Sequence, residues 1–352
     1  MKILIADDDD VAVEVLEHAL VQFGYQVTVA RNGREALDLV RSGQFRMVVS
    51  DWEMPKMTGV ELCQEIRRRP AGGYVYVILL TSRQGTQNIV DGMNSGADDF
   101  VNKPFQPQEL VVRIRAGQRI LSLESRELII FSLAKLAESR DPETGTHLER
   151  MREYCRVLAE HLARQARFRE EVDGDYVQLI YITSPLHDIG KVGIPDHILR
   201  KPGPLSGEEF EIMKRHAEIG ARTLDAAVSA HPEARFLGMA RDIARCHHEK
   251  FDGSGYPNGL AGEQIPLCAR IVALADVYDA LTTKRVYKPA FSHEKAVAII
   301  REGRGRHFDP DIVDAFEAAE SQFVAIGEQL DKREEQEAPA IAQEAPEVGW
   351  AE

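Results

Sequence analysis

The sequence predicts a two-domain protein, in which an α/β doubly wound domain with a (βα)5 pattern precedes an all-α helical domain. Residues 1–120 alternate short apolar runs with amphipathic stretches, and residues 141–325 show mostly helical periodicity. The length of 352 residues suits two domains of ordinary size, and 44% hydrophobic residues allow each its own core. Residues 121–140 predict a connecting helix, and residues 326–352 form a final segment.

The final segment is rich in Ala, Glu, Pro and Gln, with eight acidic and two basic residues from Gly327 to Glu352. Such low apolar content predicts a disordered acidic tail. The whole chain has a net charge of −14, which argues against general nucleic-acid binding because that requires a basic surface. We therefore expect no DNA-binding output.

The sequence gives no sign of export or of a membrane anchor. Four cysteines are spread along the chain without a CxxC pair, so neither zinc-ribbon nor disulfide spacing is present. The chain start runs directly into four aspartates, unlike the apolar core of a signal peptide. No apolar run approaches the ~20 residues of a membrane span. These features predict a cytoplasmic protein without membrane insertion.

Five short apolar runs in the first domain predict strands, each followed by a helical segment. The predicted strands are Lys2–Ile5, Gln26–Ala30, Arg46–Ser50, Val75–Leu80 and Asp99–Val101. Five βα units predict a parallel sheet covered on both faces, in which ligands bind at the carboxyl ends of the strands.

Polar residues follow four of these predicted strands: Asp7 and Asp8, Asp51, Thr81, and Lys103. Three carboxylates, a hydroxyl and an ammonium group at one sheet edge can hold Mg²⁺ beside a phosphoryl group, because Mg²⁺ prefers oxygen ligands. The sequence therefore predicts a site for both groups at this edge.

On these residues, the segment 1–120 resembles the receiver domain of bacterial two-component response regulators. The resemblance implies that Asp51 accepts a phosphoryl group from a cognate sensor histidine kinase. It also implies that Asp7 and Asp8 help to bind Mg²⁺, and that Glu53 supplies a backbone carbonyl to the ion.

The same resemblance implies a switch in the first domain. Thr81 and Lys103 would contact the phosphoryl oxygens, and Phe100 would turn inward together with Thr81. Phe100 stands where the commoner residue is tyrosine, so the switch would lack the hydroxyl.

After Pro107, the sequence of the connecting segment favours one continuous helix. Its apolar residues recur at intervals of about three to four as Leu110, Ile114, Ile120, Leu121, Leu128, Phe131 and Leu136. Such a helix can carry a change at Asp51 to the second domain, form the seam of a homodimer, or pack on its own domain. Amphipathicity alone does not separate these three interpretations.

The second domain shows helical periodicity and a large set of metal-ligating residue types. The periodic stretches are Tyr154–Ala163, Phe210–Leu224, Phe236–Ala244 and Arg270–Leu281. The candidate metal ligands are Glu143, His147, His187, Asp188, His216, His247, His248 and Asp276. Asp141 and Pro142 suit a helix start, which would put Glu143 and His147 on one helix face.

This many imidazole and carboxylate groups exceeds what a tetrahedral zinc ion needs and favours two or three octahedral ions such as iron or manganese. Asp188 is our candidate for a bridging ligand. Two such ions can clamp a phosphate and supply a bound hydroxide as nucleophile, so the pattern predicts a metal-dependent phosphoesterase. We interpret Cys246 as a packing residue. We interpret the remaining histidines as ordinary surface or core residues: His18, His161, His197, His231, His293 and His307.

Residues 125–320 resemble the HD-GYP family of cyclic di-GMP phosphodiesterases within the HD superfamily. The matching motifs are His187-Asp188 with Gly190-Lys191, His247-His248-Glu249, Gly255-Tyr256-Pro257, Asp276 with Asp279-Ala280-Leu281-Thr282, and Arg285-Val286-Tyr287-Lys288. The resemblance implies hydrolysis of cyclic di-GMP to linear pGpG, GMP or both, with His187, Asp188 and Lys191 as catalytic residues.

The resemblance also implies how the substrate is held. Lys191 would bind a phosphate near the metal ions, Arg285 and Lys288 would bind phosphate oxygens, and Tyr256 would contact the ligand from its loop. A dianionic substrate needs local cations in an acidic protein, and arginine offers a bidentate fork. In this family, a glutamate at position 143 accompanies a three-metal site and favours an active enzyme.

Two other functions stay open. The second domain can be a catalytically silent sensor of cyclic di-GMP or a scaffold, although the loss of ligand residues expected of such a module is absent from the sequence. It can also be an HD phosphohydrolase of mononucleotides or of a hybrid cyclic dinucleotide. The intact loop at Tyr256 disfavours mononucleotides, but no base-reading residue is identifiable from the sequence.

Overall fold

A computed structural model describes residues 1–68, 73–82, 90, 92–140, 146–283 and 290–343, with only the main chain described for 124–126 and 335–343. The chain divides into two compact units, Met1–Leu128 and Ile129–Glu352. The boundary falls inside the helix that the sequence predicts to connect the domains. Within the described ranges, no helix has both the length and the apolar character that crossing a membrane requires.

The first unit is built on a five-stranded parallel sheet with the order β2-β1-β3-β4-β5. The strands are β1 (Lys2–Ala6), β2 (Gln26–Ala30), β3 (Met47–Asp51), β4 (Tyr76–Thr81) and β5 (Asp99–Asn102). All five predicted strands are confirmed to within about one residue. Because the strands are parallel, their carboxyl ends lie at one edge of the sheet.

Both faces of the sheet are buried, as expected for parallel strands that are covered by helices. In β1, Leu4 and Ala6 pack in one core cluster, whereas Ile3 and Ile5 pack in the other. The described helices of this unit are α1 (Asp10–Gln22), α2 (Gly33–Arg41), α3 (Gly59–Arg68) and the first part of α4 (Pro107–Glu138). The predicted doubly wound α/β domain is confirmed.

The second unit is mostly helical, as predicted. After α4, its helices are α5 (His147–Ala163), α6 (Gly174–Thr183), α7 (Asp196–Leu199), α8 (Gly207–Ala230), α9 (Arg235–Cys246), α10 (Leu267–Thr282), α11 (His293–Glu302) and α12 (Pro310–Gln343). Short 3-10 turns cover Ser184–Leu186, Ile189–Gly193 and Gly262–Gln264. The main core lies where α5 packs against α10 and α12, around Tyr154, Tyr278 and Phe323.

One expectation differs from the structure, and another lies outside the described residues. Helix α5 is described from His147, with Thr146 as its N-cap, and the predicted helix start at Asp141-Pro142 with Glu143 lies outside the described residues. Helix α12 continues to Gln343, so the disordered tail predicted from residue 326 is wrong over its first part. Glu, Gln, Ala and Lys in this stretch are good helix formers, and Asp331 and Glu334 contact Arg150 and Thr146.

Candidate phosphoryl site and metal centre

The polar residues after strands β1, β3 and β5 meet at the carboxyl edge of the sheet. The Nζ atom of Lys103 lies 3.0 Å from Oδ2 of Asp7 and 2.5 Å from Oδ1 of Asp51. Asp7, Asp8 and Asp51 each offer an oxygen within 4.8 Å of the other two. Burial raises the pKa of Asp51, while Lys103 acts in the opposite direction. This trio of carboxylates with one lysine suits a hard cation beside a phosphoryl group.

The other predicted residues of this edge lie close by. The amide of Glu53 donates to Oδ2 of Asp51 at 3.2 Å. Thr81 is buried at the end of β4, and its carbonyl accepts from the amide of Lys103 at 2.7 Å. Phe100 is half-buried and packs against the core cluster that contains Leu79. The geometry brings the predicted phosphoryl-site residues together and leaves Phe100 between core and solvent.

In the second unit, the His187-Asp188 doublet lies between two 3-10 turns, the second of which packs against helix α8. A Cβ atom at Gly190 would lie 1.9 Å from the carbonyl oxygen of His216 and 2.5 Å from the amide of Gly220. Only glycine permits this approach, because no real Cβ contact is so short. The Gly190 position therefore brings Asp188 to the side chain of His216.

Two groups of ligand atoms lie side by side in this unit. Subsite A consists of Asp188, His216, His247 and His248, and subsite B of His147, His187 and Asp276. Within each group the ligand atoms lie within 4.8 Å of one another. Asp188 connects the two, because its Oδ1 lies 3.3 Å from Nε2 of His216 and its Oδ2 lies 3.3 Å from Nε2 of His187.

Backbone carbonyls fix the rings of three histidines. The Nδ1 atoms of His187, His216 and His247 lie 3.0, 2.7 and 3.0 Å from the carbonyl oxygens of the residues three or four positions earlier. Since a carbonyl only accepts, Nδ1 carries the proton and Nε2 keeps its lone pair. This is the arrangement in which metal-binding histidines are usually oriented.

Several buried polar atoms at the two subsites have no hydrogen-bond partner among the described residues. They include Nε2 of His147 and of His187, and Oδ1 of Asp188. Unpaired buried polar atoms are costly, and all three face the subsites. Divalent cations would satisfy them, so the residues present fit a metal centre.

The charge states of His216, His248 and Asp188 also suit metal binding. Burial lowers the pKa of His216 to about 4 and that of His248 well below its usual range, which keeps both rings neutral. Burial alone would raise the pKa of Asp188, but Lys191 and His187 hold it well below the ordinary value. Neutral imidazole and ionised carboxylate are the forms that bind metal ions.

His147 is held by a buried pair that the sequence analysis did not assign a role. Its Nδ1 lies 2.7 Å from Oδ2 of Asp279, whose Oδ1 accepts from Nε of Arg150 at 2.5 Å. Although burial favours the neutral ring, Asp279 raises the pKa of His147 to about 9. Asp279 lies three residues after the candidate ligand Asp276 in the same sequence motif, and this spacing was a signal that Asp279 supports the site. The partner Arg150 lies three residues after His147, in the first turn of α5.

Glu138 is a second residue that the sequence analysis missed. It is the last residue of α4, it is 8% exposed, and its Oε1 lies 3.8 Å from Nε2 of His147. Burial raises the pKa of Glu138 to about 7, while His147 and His187 oppose the shift. No local motif marked this residue, because only the fold brings the end of α4 to subsite B.

Of the predicted substrate-contact residues, the structure describes Lys191 and Tyr256. Nζ of Lys191 lies 2.8 Å from Oδ2 of Asp188, and the Tyr256 ring stacks on His248 with centroids 4.7 Å apart. Both residues therefore lie at the metal subsites. Glu143, Arg285 and Lys288 lie outside the described residues.

The loop that carries Tyr256 is shaped by Glu249. This buried carboxylate accepts from the amides of Asn258 at 2.8 Å and Leu260 at 3.1 Å. A Cβ atom at Gly255 would lie 2.3 Å from the amide of Lys250, so glycine is required there for the loop to fold back. Both features set the position of the Tyr256 ring.

The residues set aside in the sequence analysis lie elsewhere. Cys246 packs in a small apolar cluster with Ile265 and Ala269. Among the described residues, the metal-ligand groups contain none of the six histidines interpreted as ordinary residues: His18, His161, His197, His231, His293 and His307.

The fold and the paired subsites define the class as a response regulator with an HD-type output domain that carries candidate metal subsites. A family model described as "Response regulator receiver domain" matches residues 3–115, and one described as "HD domain" matches residues 132–312. The chain therefore belongs to the family of response regulators that join a receiver domain to an HD domain, in which the cyclic di-GMP phosphodiesterase response regulators are found.

Several relatives are similar over most of the chain. A Vibrio cholerae protein named "Probable cyclic di-GMP phosphodiesterase" is 41% identical over 93% of this chain and 80% of its own length. The "Cyclic di-GMP phosphodiesterase response regulator RpfG" of Xanthomonas campestris is 36% identical over 93% of this chain and 89% of its own. The "3'3'-cGAMP-specific phosphodiesterase 2" of Vibrio cholerae is 42% identical over 58% of this chain, but over only 36% of its own length.

Proposed function

We propose that this response regulator hydrolyses cyclic di-GMP to pGpG, GMP or both at a centre of two or three divalent metal ions. The observation that carries the proposal is the pair of ligand groups that share Asp188, whose two carboxylate oxygens face His187 on one side and His216 on the other. A bridged pair of ions can clamp a phosphodiester and activate a water molecule. The mixture of imidazole and carboxylate ligands favours iron or manganese.

The chain's own residues supply binding and orientation. Lys191, adjacent to Asp188, brings a positive charge to a phosphate held between the subsites. Tyr256, stacked on His248, offers an aromatic face beside the same position. Arg285 and Lys288 would bind the phosphate oxygens as further cations. Together these groups offset the charge of a dianionic substrate in an acidic protein.

The substrate has a second candidate. The relative named as specific for 3'3'-cGAMP is 42% identical over 58% of this chain, so a hybrid cyclic dinucleotide fits the same metal chemistry. The names of the relatives that match over more than nine-tenths of this chain favour cyclic di-GMP. We therefore propose cyclic di-GMP as the preferred substrate.

Turnover of both cyclic dinucleotides by the Fe²⁺- or Mn²⁺-reconstituted protein, kept anaerobic and followed by chromatography, tests this proposal. We expect kcat/KM for cyclic di-GMP to exceed that for 3'3'-cGAMP by at least about tenfold, with pGpG or GMP as product. The reverse ratio would assign the hybrid substrate. No product from a folded, metal-loaded protein would favour a sensor or scaffold instead.

We also propose that Mg²⁺-dependent phosphorylation of Asp51 by a sensor histidine kinase controls this hydrolysis. The support is the site at the sheet edge, where Asp51 lies 2.5 Å from the Lys103 ammonium group. Thr81 and Phe100 would carry the change as a switch.

Replacing Asp51 with asparagine is expected to abolish any change in turnover that a small-molecule phosphoryl donor produces in the wild-type protein. The substituted side chain cannot form an acyl phosphate, so the basal turnover should persist without a response. Asp38→Asn, an exposed aspartate of the same domain, serves as the control and should respond normally. A response that survives in Asp51→Asn would contradict the assignment.

Helix α4 supports a further proposal, that the protein forms a homodimer through this helix. Its large apolar side chains Ile120, Leu123, Leu133 and Leu136 are 45%, 55%, 53% and 67% exposed. Exposed apolar residues at such spacing favour a helix seam between two copies of the chain.

We also propose a cytoplasmic location. The four free cysteines, all buried, are consistent with a reducing compartment.

A further inference from the structure

We propose that Glu138 is an additional metal ligand, which supplies a carboxylate oxygen to subsite B beside His147, His187 and Asp276. The inference rests on the proposed metal centre and adds a residue to it. It identifies the last residue of α4 as part of the site, although Glu138 belongs to none of the histidine and aspartate motifs of the sequence.

The burial of Glu138 is unusual for a carboxylate. Its side chain is 9% exposed, and its Oε1 is fully buried with no hydrogen-bond partner among the described residues. A buried carboxylate is normally paired with a cation or with donors, because its desolvation is costly. A metal ion bound beside this oxygen would satisfy it.

The cationic side chains around Glu138 are engaged elsewhere. The ammonium group of Lys191 lies 2.8 Å from Asp188, and that of Lys135 lies 2.6 Å from Glu149. Nε2 of His147, itself without a hydrogen-bond partner among the described residues, lies 3.8 Å from the buried Oε1. Two buried atoms that lack hydrogen bonds therefore lie close together.

The distances suit one ion between these atoms. Nε2 of His147 lies 3.8 Å from Oε1 of Glu138 and 3.9 Å from Oδ1 of Asp276. Two ligands that each bind a transition metal at ~2.1 Å can be at most about 4.2 Å apart. Both separations are below this limit, and both exceed the length of a hydrogen bond. An ion on Nε2 of His147 can thus be reached by Oε1 of Glu138 as well.

Glu138→Gln tests the proposal, because it keeps the shape of the side chain and removes the charge. Glu302→Gln is the matched control, since Glu302 is also the last residue of its helix but is exposed. Each full-length protein is titrated with Mn²⁺ under anaerobic conditions, with bound manganese measured by elemental analysis and affinity by competition with a chelator.

For Glu138→Gln we expect the Kd of one ion to rise at least about 100-fold. Mutation of a residue that only orients a metal ligand already lowers metal affinity by about 10- to 100-fold. Glu302→Gln should bind manganese as the wild type does. Equal stoichiometry and affinity in Glu138→Gln and the wild type would overturn the inference alone. A wild-type protein that binds no manganese would refute the proposed metal centre, and the inference with it.

Thermal unfolding separates ligation from a structural role. Without metal, Glu138→Gln should unfold close to the Tm of the wild type, because Oε1 of Glu138 has no hydrogen-bond partner among the described residues. With saturating Mn²⁺, its Tm should rise less than that of the wild type. A lower Tm in the metal-free state, or failure to fold, would show that Glu138 stabilises the fold by itself and would overturn the proposal.

Discussion

Replacing Asp188 with asparagine is expected to lower the turnover of cyclic di-GMP at least about 10³-fold, equivalent to about 4 kcal/mol. Asp188 gives one oxygen to each subsite, at 3.3 Å from His216 and from His187. Asparagine preserves the shape but loses the charge and one acceptor, so neither ion keeps its bridging ligand. Turnover is measured by chromatography after reconstitution with Fe²⁺ or Mn²⁺.

Asp314→Asn is the control for this substitution. Asp314 lies in the same domain and pairs with Arg304 at the surface, so its loss should leave turnover within about twofold of the wild type. Circular dichroism checks that Asp188→Asn is folded. A folded Asp188→Asn protein that retains a tenth of wild-type turnover would show that Asp188 does not bridge the ions.

Replacing Asp279 with alanine is expected to lower the free energy of unfolding by about 3–5 kcal/mol, the usual cost of removing one partner of a buried ion pair. Asp279 is 2% exposed. Its carboxylate accepts a hydrogen bond from Nε of Arg150 at 2.5 Å and lies 2.7 Å from Nδ1 of His147. Its loss leaves a buried guanidinium without its main anion. Urea unfolding of the metal-free protein measures the change.

Adding Arg150→Met to Asp279→Ala is the corresponding control. The double variant removes both charges, so it should regain at least half of the lost free energy, because an apolar pair often replaces a buried ion pair at little cost. The two single variants and the double variant form a cycle that isolates the coupling. A loss below about 1 kcal/mol in Asp279→Ala would contradict a buried pair that supports the fold.

The parallel sheet was predictable from sequence because its signal is local. Each strand is a short apolar run, and the alternation of Ile3 and Ile5 with Leu4 and Ala6 between the two faces follows from strand geometry. The polar residues after the strands were also predictable as one site, since parallel strands end at one edge. The distances of Lys103 to Asp7 and Asp51 agree with that expectation.

Two supporting residues of the metal centre were harder to predict. Asp279 is 129 residues from Arg150 in the chain, and no local pattern specifies which buried arginine a carboxylate will meet. Glu138 is at the end of an amphipathic helix, where a glutamate is ordinarily a solvated residue. Only tertiary packing distinguishes it from the exposed Glu302.

The end of the chain shows the opposite error. Low apolar content predicted disorder from residue 326, but helix α12 continues to Gln343. Composition does not reveal the contacts near the start of the predicted tail. There Asp331 lies 3.4 Å from Arg150, and Glu334 accepts from Thr146 at 2.7 Å. Arg150 lies in the first turn of α5 and Thr146 is its N-cap, so this part of the tail packs on the second domain.

Turnover measured against the number of ions bound per chain tests the central claim most directly. Metal-free protein is titrated anaerobically with Mn²⁺, and each sample is divided between elemental analysis and hydrolysis of cyclic di-GMP. Because Asp188 joins subsites A and B, we expect hydrolysis to appear only as the second ion binds, and to be absent throughout from Asp188→Asn. Full turnover with one ion per chain, or none at saturation, would contradict a bridged metal centre.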